Sequence, residues 1–187
     1  MKTLQFPTQS QKCAKSTASK RGTSEQQLNH MRLEIPALSR NESFARSTVC
    51  AFAAAVDPTL QDLDDIKTAV SEAVTNCVVH AYSATPVSAK PLDSRVNTIT
   101  LDCTLYPSHI QIRVSDSGLG IRDINAAMQP FHTTRPEEER SGMGFTVMQS
   151  FMDSLEVTSK VGVGTTITMQ KFFEQKSKES AKRKGGV

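Results

Sequence analysis

The sequence predicts an α+β fold, a two-layer sandwich with helices on one face of a mixed, mostly antiparallel sheet. Three observations carry that expectation. Between residues 59 and 82 apolar positions recur at threes and fours (Leu63, Ile66, Ala69, Val70, Ala73, Val74, Cys77, Val78), the spacing of a helix packed on something flat. Ile99, Leu101, Cys103 and Leu105 alternate with polar residues, as do Ile110, Ile112 and Val114. The short joint between these runs, Tyr106 to His109, argues an antiparallel hairpin. A final alternating pair, 155–159 and 165–171, turns at Gly162-Val163-Gly164. Helices grouped beside hairpins give the α+β layout.

The remaining elements follow in chain order. Residues 1–30 are rich in Ser, Thr, Gln and Lys and offer little to bury, so they are predicted to be a disordered extension. Met31 to Ile35 alternates and suits a first strand. Ser39-Arg40-Asn41-Glu42 has the form of a capping box, which predicts a helix from about Arg40 to Val56. Asp57 is placed to cap the next helix, with Pro58 at its first position. Ser83 to Asn97 holds two prolines and reads as a loop. A glycine-punctuated region spans Ser117 to Gly144, and a short helix is expected from Phe145 to Met152. The ordered domain is therefore expected at 31–173, followed by a basic disordered tail at 174–187.

Length and composition narrow the function classes. At 187 residues, with 37% hydrophobic and 22% charged, the chain suits one soluble domain. No run approaches the roughly 18 apolar residues of a membrane span, and no apolar run follows the N-terminal lysines. A cytoplasmic location without membrane contact is expected. Net charge is only +3 and no basic motif marks the folded part, so no direct nucleic-acid partner is expected. Cys13, Cys50, Cys77 and Cys103 are far apart without a CxxC pair. They read as small buried hydrophobes in a reducing compartment, not as a disulfide frame or zinc site.

Three short motifs could do chemistry, each weak by itself. Glu72 and Asn76 are four apart on the long helix and share a face, which His80 extends by a turn. Such a pair is more often a solvated stripe. As a site it would offer a carboxylate base beside an amide oxygen able to hold Mg²⁺ near phosphates. Asp116-Ser117-Gly118-Leu119-Gly120 follows a strand. It lacks the third glycine and the βαβ frame of a dinucleotide fingerprint, and commonly such a string is a plain turn. As a site, Asp116 would accept from an exocyclic amine while glycines admit a flat ring. Gly142-Met143-Gly144-Phe145 opens a helix, where exposed amides can bind an anion.

The order of the three motifs is more specific than any one of them. It resembles the Bergerat-type ATP-binding fold shared by histidine kinases, DNA gyrase B, Hsp90 and MutL. Longer strings are similar to the anti-sigma F factors of spore-forming bacteria: Ala37 to Arg46, Ile66 to Asn76, Glu139 to Phe145, and Phe151-Met152-Asp153. The similarity runs from about Met31 to Phe172. It implies ATP and Mg²⁺ as cofactors, with Glu72 as general base toward a partner's serine and Asn76 as Mg²⁺ ligand. It implies that Asp116 reads the adenine amine, with Gly118 and Gly120 beneath the ring, and that Gly142, Met143, Gly144 and Phe145 meet the phosphates. Thr133 and Thr134 would belong to a lid, Arg140 would reach the γ-phosphate, and Arg46 would grip protein partners.

The implied activity is that of a serine-protein kinase and anti-sigma factor. It would hold a sporulation sigma factor, act as a homodimer, and phosphorylate an anti-anti-sigma protein. A nucleotide-gated sigma inhibitor without kinase activity, or a kinase serving a general stress sigma factor, are the alternatives. The chain departs from the family pattern in its N-terminal extension, its long loop 83–97, His132 before the lid threonines, and Ala81 in place of a glycine.

Overall fold

The computed structural model describes residues 2–7, 26–82, 97–130 and 142–173. Strand β1 (Lys2–Pro7) is followed by β2 (Asn29–Pro36), α1 (Arg40–Ala53) and α2 (Leu60–Asn76). Then come β3 (Thr98–Leu105), β4 (His109–Asp116), α3 (Ile124–Ala127), α4 (Gly144–Phe151), β5 (Ser154–Lys160) and β6 (Gly164–Phe172). The six strands form one sheet in the order β1-β5-β6-β4-β3-β2. Every described pairing is antiparallel, so the parallel component allowed by "mixed" is not found among the described residues.

The α+β sandwich is as the sequence predicts. Inward residues of the central strands, among them Leu101, Ile112, Val157 and Met169, are fully buried. Outward positions carry Thr, Gln and charge, as with Thr100, Gln111 and Thr168. On the inner face α1 lies over β2 and β3, α2 over β4 and β6, and α4 over β5. The long helix α2 is thus the middle of its layer, with α1 on one flank and α4 on the other. Its buried stripe of Ile66, Ala69, Val70, Ala73 and Val74 is the one read from periodicity. Full burial of a side chain such as Ile66 or Ile112 contributes about 1.5–3 kcal/mol.

Several boundaries differ from expectation for local reasons. Residues 2–7, read as part of a disordered extension, pair with β5 along their whole length, and β2 begins at Asn29, ahead of residue 31. Residues 8–25 and the tail 174–187 lie outside the described residues. Ser39 sits in the helical region at φ −53° and makes no side-chain cap. Glu42 instead accepts from Arg46 Nη1 at 3.0 Å and Thr75 Oγ1 at 3.1 Å, so the tertiary contact wins over the local box. Asp57 does not cap α2 either; it adopts a left-handed turn at φ 55° after a single 3-10 turn over Ala54–Val56. The cap is Thr59, whose hydroxyl accepts from Asp62 N while Asp62 reaches back to Thr59 N, a reciprocal box.

After Asn76 the helix widens into a π turn, Cys77–Ala81. Such turns are uncommon and often sit at functional sites. Here the turn delivers the Ala81 carbonyl to the loop after β4, where it accepts from Leu119 N at 2.8 Å. Cys77 and Cys103 are buried, and Cys50 is half-buried. Burial raises all three thiols, with Cys103 pushed up to about 12. Cys50 and Cys103 are small fillers, as the sequence suggested, whereas Cys77 also donates to Asp116, and Cys13 lies outside the described residues.

Candidate functional site: a cleft between α2, β4 and α4

A cleft of ≈ 820 Å³ opens between α2, the loop after β4 and the start of α4, within the usual size of a small-molecule site. It gathers residues from three separate motifs of the sequence: Glu72 and Asn76, Asp116 and Gly120, and Gly142 through Phe145. His80 also lines it, so the face shared by 72, 76 and 80 survives the π turn. Gly118 does not line it. A Cβ there would lie 2.1 Å from the Ala81 carbonyl oxygen and 2.7 Å from Ala81 Cβ. Gly118 therefore makes room for the π turn, and in particular for the alanine that stands where a glycine was expected.

Asp116 ends β4 at the floor of the cleft. Its Oδ1 accepts from Gly118 N at 2.8 Å and from Thr165 N at 3.3 Å. Its Oδ2 accepts from the Cys77 thiol at 3.7 Å, a weak donor that leaves this oxygen acceptor capacity. Desolvation raises the Asp116 pKa, against the lowering effect of the Gly118, Thr165 and Cys77 donors. An oriented carboxylate beside an apolar floor formed by Ile121 and Ile167 suits a flat heterocycle with an exocyclic amine.

The opposite end of the cleft suits an anion. Helix α4 starts here, and Met143 caps it without a side-chain hydrogen bond, so its first-turn amides and dipole face the cleft. The helix start comes very close to α2. A Cβ on Gly144 would lie 3.0 Å from Glu72 Oε2 and 3.4 Å from the Asn76 amide atoms. A carboxylate, an amide oxygen and helix-end amides thus meet at one point. The described residues contain no cluster of three or more His, Cys, Asp or Glu able to hold a metal. Mg²⁺ does not need one, because it commonly takes one or two protein ligands and completes its shell with phosphate oxygens and water. An amine-bearing ring at the Asp116 acceptor, an anion at the α4 amides and a divalent cation at the Asn76 oxygen would each meet a complementary group.

The family model described as "Histidine kinase-like ATPase domain" matches residues 35–171. An anti-sigma F factor from Caldanaerobacter subterraneus subsp. tengcongensis is 52% identical over 145 residues, covering 78% of this chain and 94% of the relative. The chain belongs to the anti-sigma F factor family. Members from Clostridium perfringens (50% over 143 residues, 76% of this chain and 96% of that one) and Clostridium acetobutylicum (48% over 145 residues, 78% and 94%) are similarly close. The crystal structure of the RsbU and RsbW domains of Rv1364c from Mycobacterium tuberculosis shares the fold, with TM-score 0.52 and 16% identity. That likeness covers 78% of this chain, which spans 33% of the length of the other.

Membership of this ATPase family implies ATP binding, and the cleft is where its motifs converge. Arg46 lies on α1, outside the cleft, held by Glu42 at 3.0 Å and within 3.4 Å of Ser43 and Ser71 hydroxyls. Thr133, Thr134, Arg140 and His132 lie outside the described residues. Sequence reasoning missed Thr165, Cys77 and α3, all of which border the cleft. For α3 the available signal is Asp123, whose Oδ1 accepts from Ala126 N at 3.0 Å as an N-cap inside the region expected only to be glycine-punctuated.

Proposed function

We propose that this chain is an ATP-dependent serine-protein kinase and anti-sigma factor. It holds a sporulation sigma factor as a cytoplasmic homodimer and phosphorylates an anti-anti-sigma protein on serine. The observation that carries the kinase reading is the approach of Gly144 to Glu72 and Asn76, which sets a base beside the place where phosphates would lie. Phosphoryl transfer is mostly positioning and charge neutralisation, and ATP with Mg²⁺ supplies the phosphoryl group and its counter-charge. Asp116 and the glycine loop orient the nucleotide, Asn76 holds the metal, and the α4 amides take the phosphate charge. Glu72 takes the proton from the incoming serine hydroxyl, the role of a general base.

Arg140, with Thr133 and Thr134 in a lid, would complete the γ-phosphate contacts, and Arg46 would present a cation to protein partners. The sigma and anti-anti-sigma partners rest on kinship with proteins named anti-sigma F factor. The test is phosphotransfer from labelled ATP to an anti-anti-sigma protein, alongside capture of sigma factors by the ATP-loaded chain. No labelled partner across magnesium and pH conditions would leave only a nucleotide-gated inhibitor.

A further inference from the structure

Strand β1 lies ahead of the 35–171 family match, yet it completes the sheet. It pairs antiparallel with β5 from Lys2 opposite Ser159 to Pro7 opposite Ser154. The register sets Leu4 opposite Val157 and Phe6 opposite Leu155, the two core residues of β5, and Thr3 opposite Thr158. The register thus sets the apolar positions of the segment opposite the apolar positions of β5. On the polar face the hydroxyls of Thr3 and Thr158 lie 3.3 Å apart. Lys and Pro at the ends of a short strand are also the residues that blunt a sheet edge.

We propose that the outer edge of β5 is a strand-docking site, filled within the same chain by residues 2–7, and that the seated strand steadies the wall of the cleft. The bare edge would otherwise present unpaired amides and carbonyls to any extended peptide. An intramolecular seat is within reach. β1 and β2 are at opposite edges, roughly 24 Å apart at the usual strand spacing, whereas the intervening segment 8–28 can extend to roughly 70 Å.

The link to the cleft runs through Ser159, the partner of Lys2. The buried Ser159 hydroxyl accepts from Ile121 N at 2.8 Å and donates to the Gly164 carbonyl at 3.1 Å. Next to it, the Lys160 carbonyl packs where a Cβ on Gly120 would stand, 2.3 Å away, and Val161 lines the cleft. A strand zipped along β5 to Ser159 holds both contacts in place.

Hydrogen–deuterium exchange on the full chain tests this without nucleotide or partner. Compared with wild type, the Leu4→Asp/Phe6→Asp double variant is expected to lose about tenfold protection or more at alternate β5 amides, and several-fold at Ile121. Unchanged exchange in β3 and β4 verifies that the variant remains folded. Equal β5 exchange in the two folded chains overturns the docking site. Protection that falls on dilution assigns the strand to a second copy and overturns the intramolecular seat. Loss at β5 with Ile121 unchanged overturns the coupling to the cleft.

Discussion

Gly144 and Glu72 approach so closely that one added methyl group on the glycine would lie 3.0 Å from Glu72 Oε2. The first turn of α4 thus packs tightly on the C-terminal part of α2 at a position without a side chain. Gly144→Ala must shift the Glu72 carboxylate by a few tenths of an ångström, while Asn76 stays at ordinary contact distance. A displacement near 1 Å at reacting groups costs about 10²-fold in rate, so this smaller shift should lower phosphotransfer by less, roughly three- to tenfold. Single-turnover kinetics, with thermal melting to confirm the fold, checks it.

Glu72→Gln keeps the shape and removes the base. Phosphotransfer should fall by about 10²–10⁴-fold, while calorimetry should find nucleotide affinity within a few-fold of wild type. Parallel loss of nucleotide binding would make Glu72 a binding residue instead.

Asp116→Asn should separate binding from stability. Because desolvation raises the folded pKa of Asp116 above 3.8, the unfolded chain ionises first as pH rises. The unfolded state then binds fewer protons than the folded state, so this group lowers stability as pH climbs through that window, and the penalty persists above it. The asparagine variant should therefore bind ATP more weakly yet melt higher than wild type at pH 7, with the gap closing below pH 3.8. Melting curves over pH, without ligand, read the sign directly.

Asp65 and Lys171 form a 2.6 Å ion pair between α2 and β6, with side-chain exposures of 9% and 13%. Lys171 also donates to the Phe151 carbonyl at the end of α4. Removing only the acid strands a buried cation, and Asp65→Ala should cost about 3 kcal/mol. Asp65→Leu with Lys171→Met should recover most of that in chemical denaturation.

Thr59→Ala removes the α2 cap and should cost about 1 kcal/mol. Asp57→Ala, at the position first expected to cap, should leave the α2 end intact by amide exchange. The contrast shows what sequence reading can and cannot reach. Both Asp57-Pro58 and Thr59-x-x-Asp62 are lawful helix starts, and only backbone conformation distinguishes them: Asp57 turns left-handed while Thr59 is extended.

The sheet and α2 were legible because period-two and period-3.6 patterns are set by burial on one face. The cleft was legible because Glu72, Asn76, Asp116 and Gly144 each belong to a motif with its own chemistry. Thr165 was not, because its amide reaches Asp116 from 49 residues away and no local pattern records that. Ser39-x-x-Glu42 misled for the same reason: Thr75 and Arg46 compete for the Glu42 carboxylate. The π turn left no trace, since Cys77 and Val78 continue the helical spacing.

The strand order has a kinetic consequence. β3 with β4, and β5 with β6, are hairpins that close locally, but the β4–β6 pairing joins residues as far apart as His109 and Phe172, and such non-local closure is slow. The Asp116–Thr165 contact sits on that seam. A ligand gripping Asp116 on one side and α4 on the other spans both halves. ATP would then act as a rivet across this non-local joint, stabilising the assembled state by mass action.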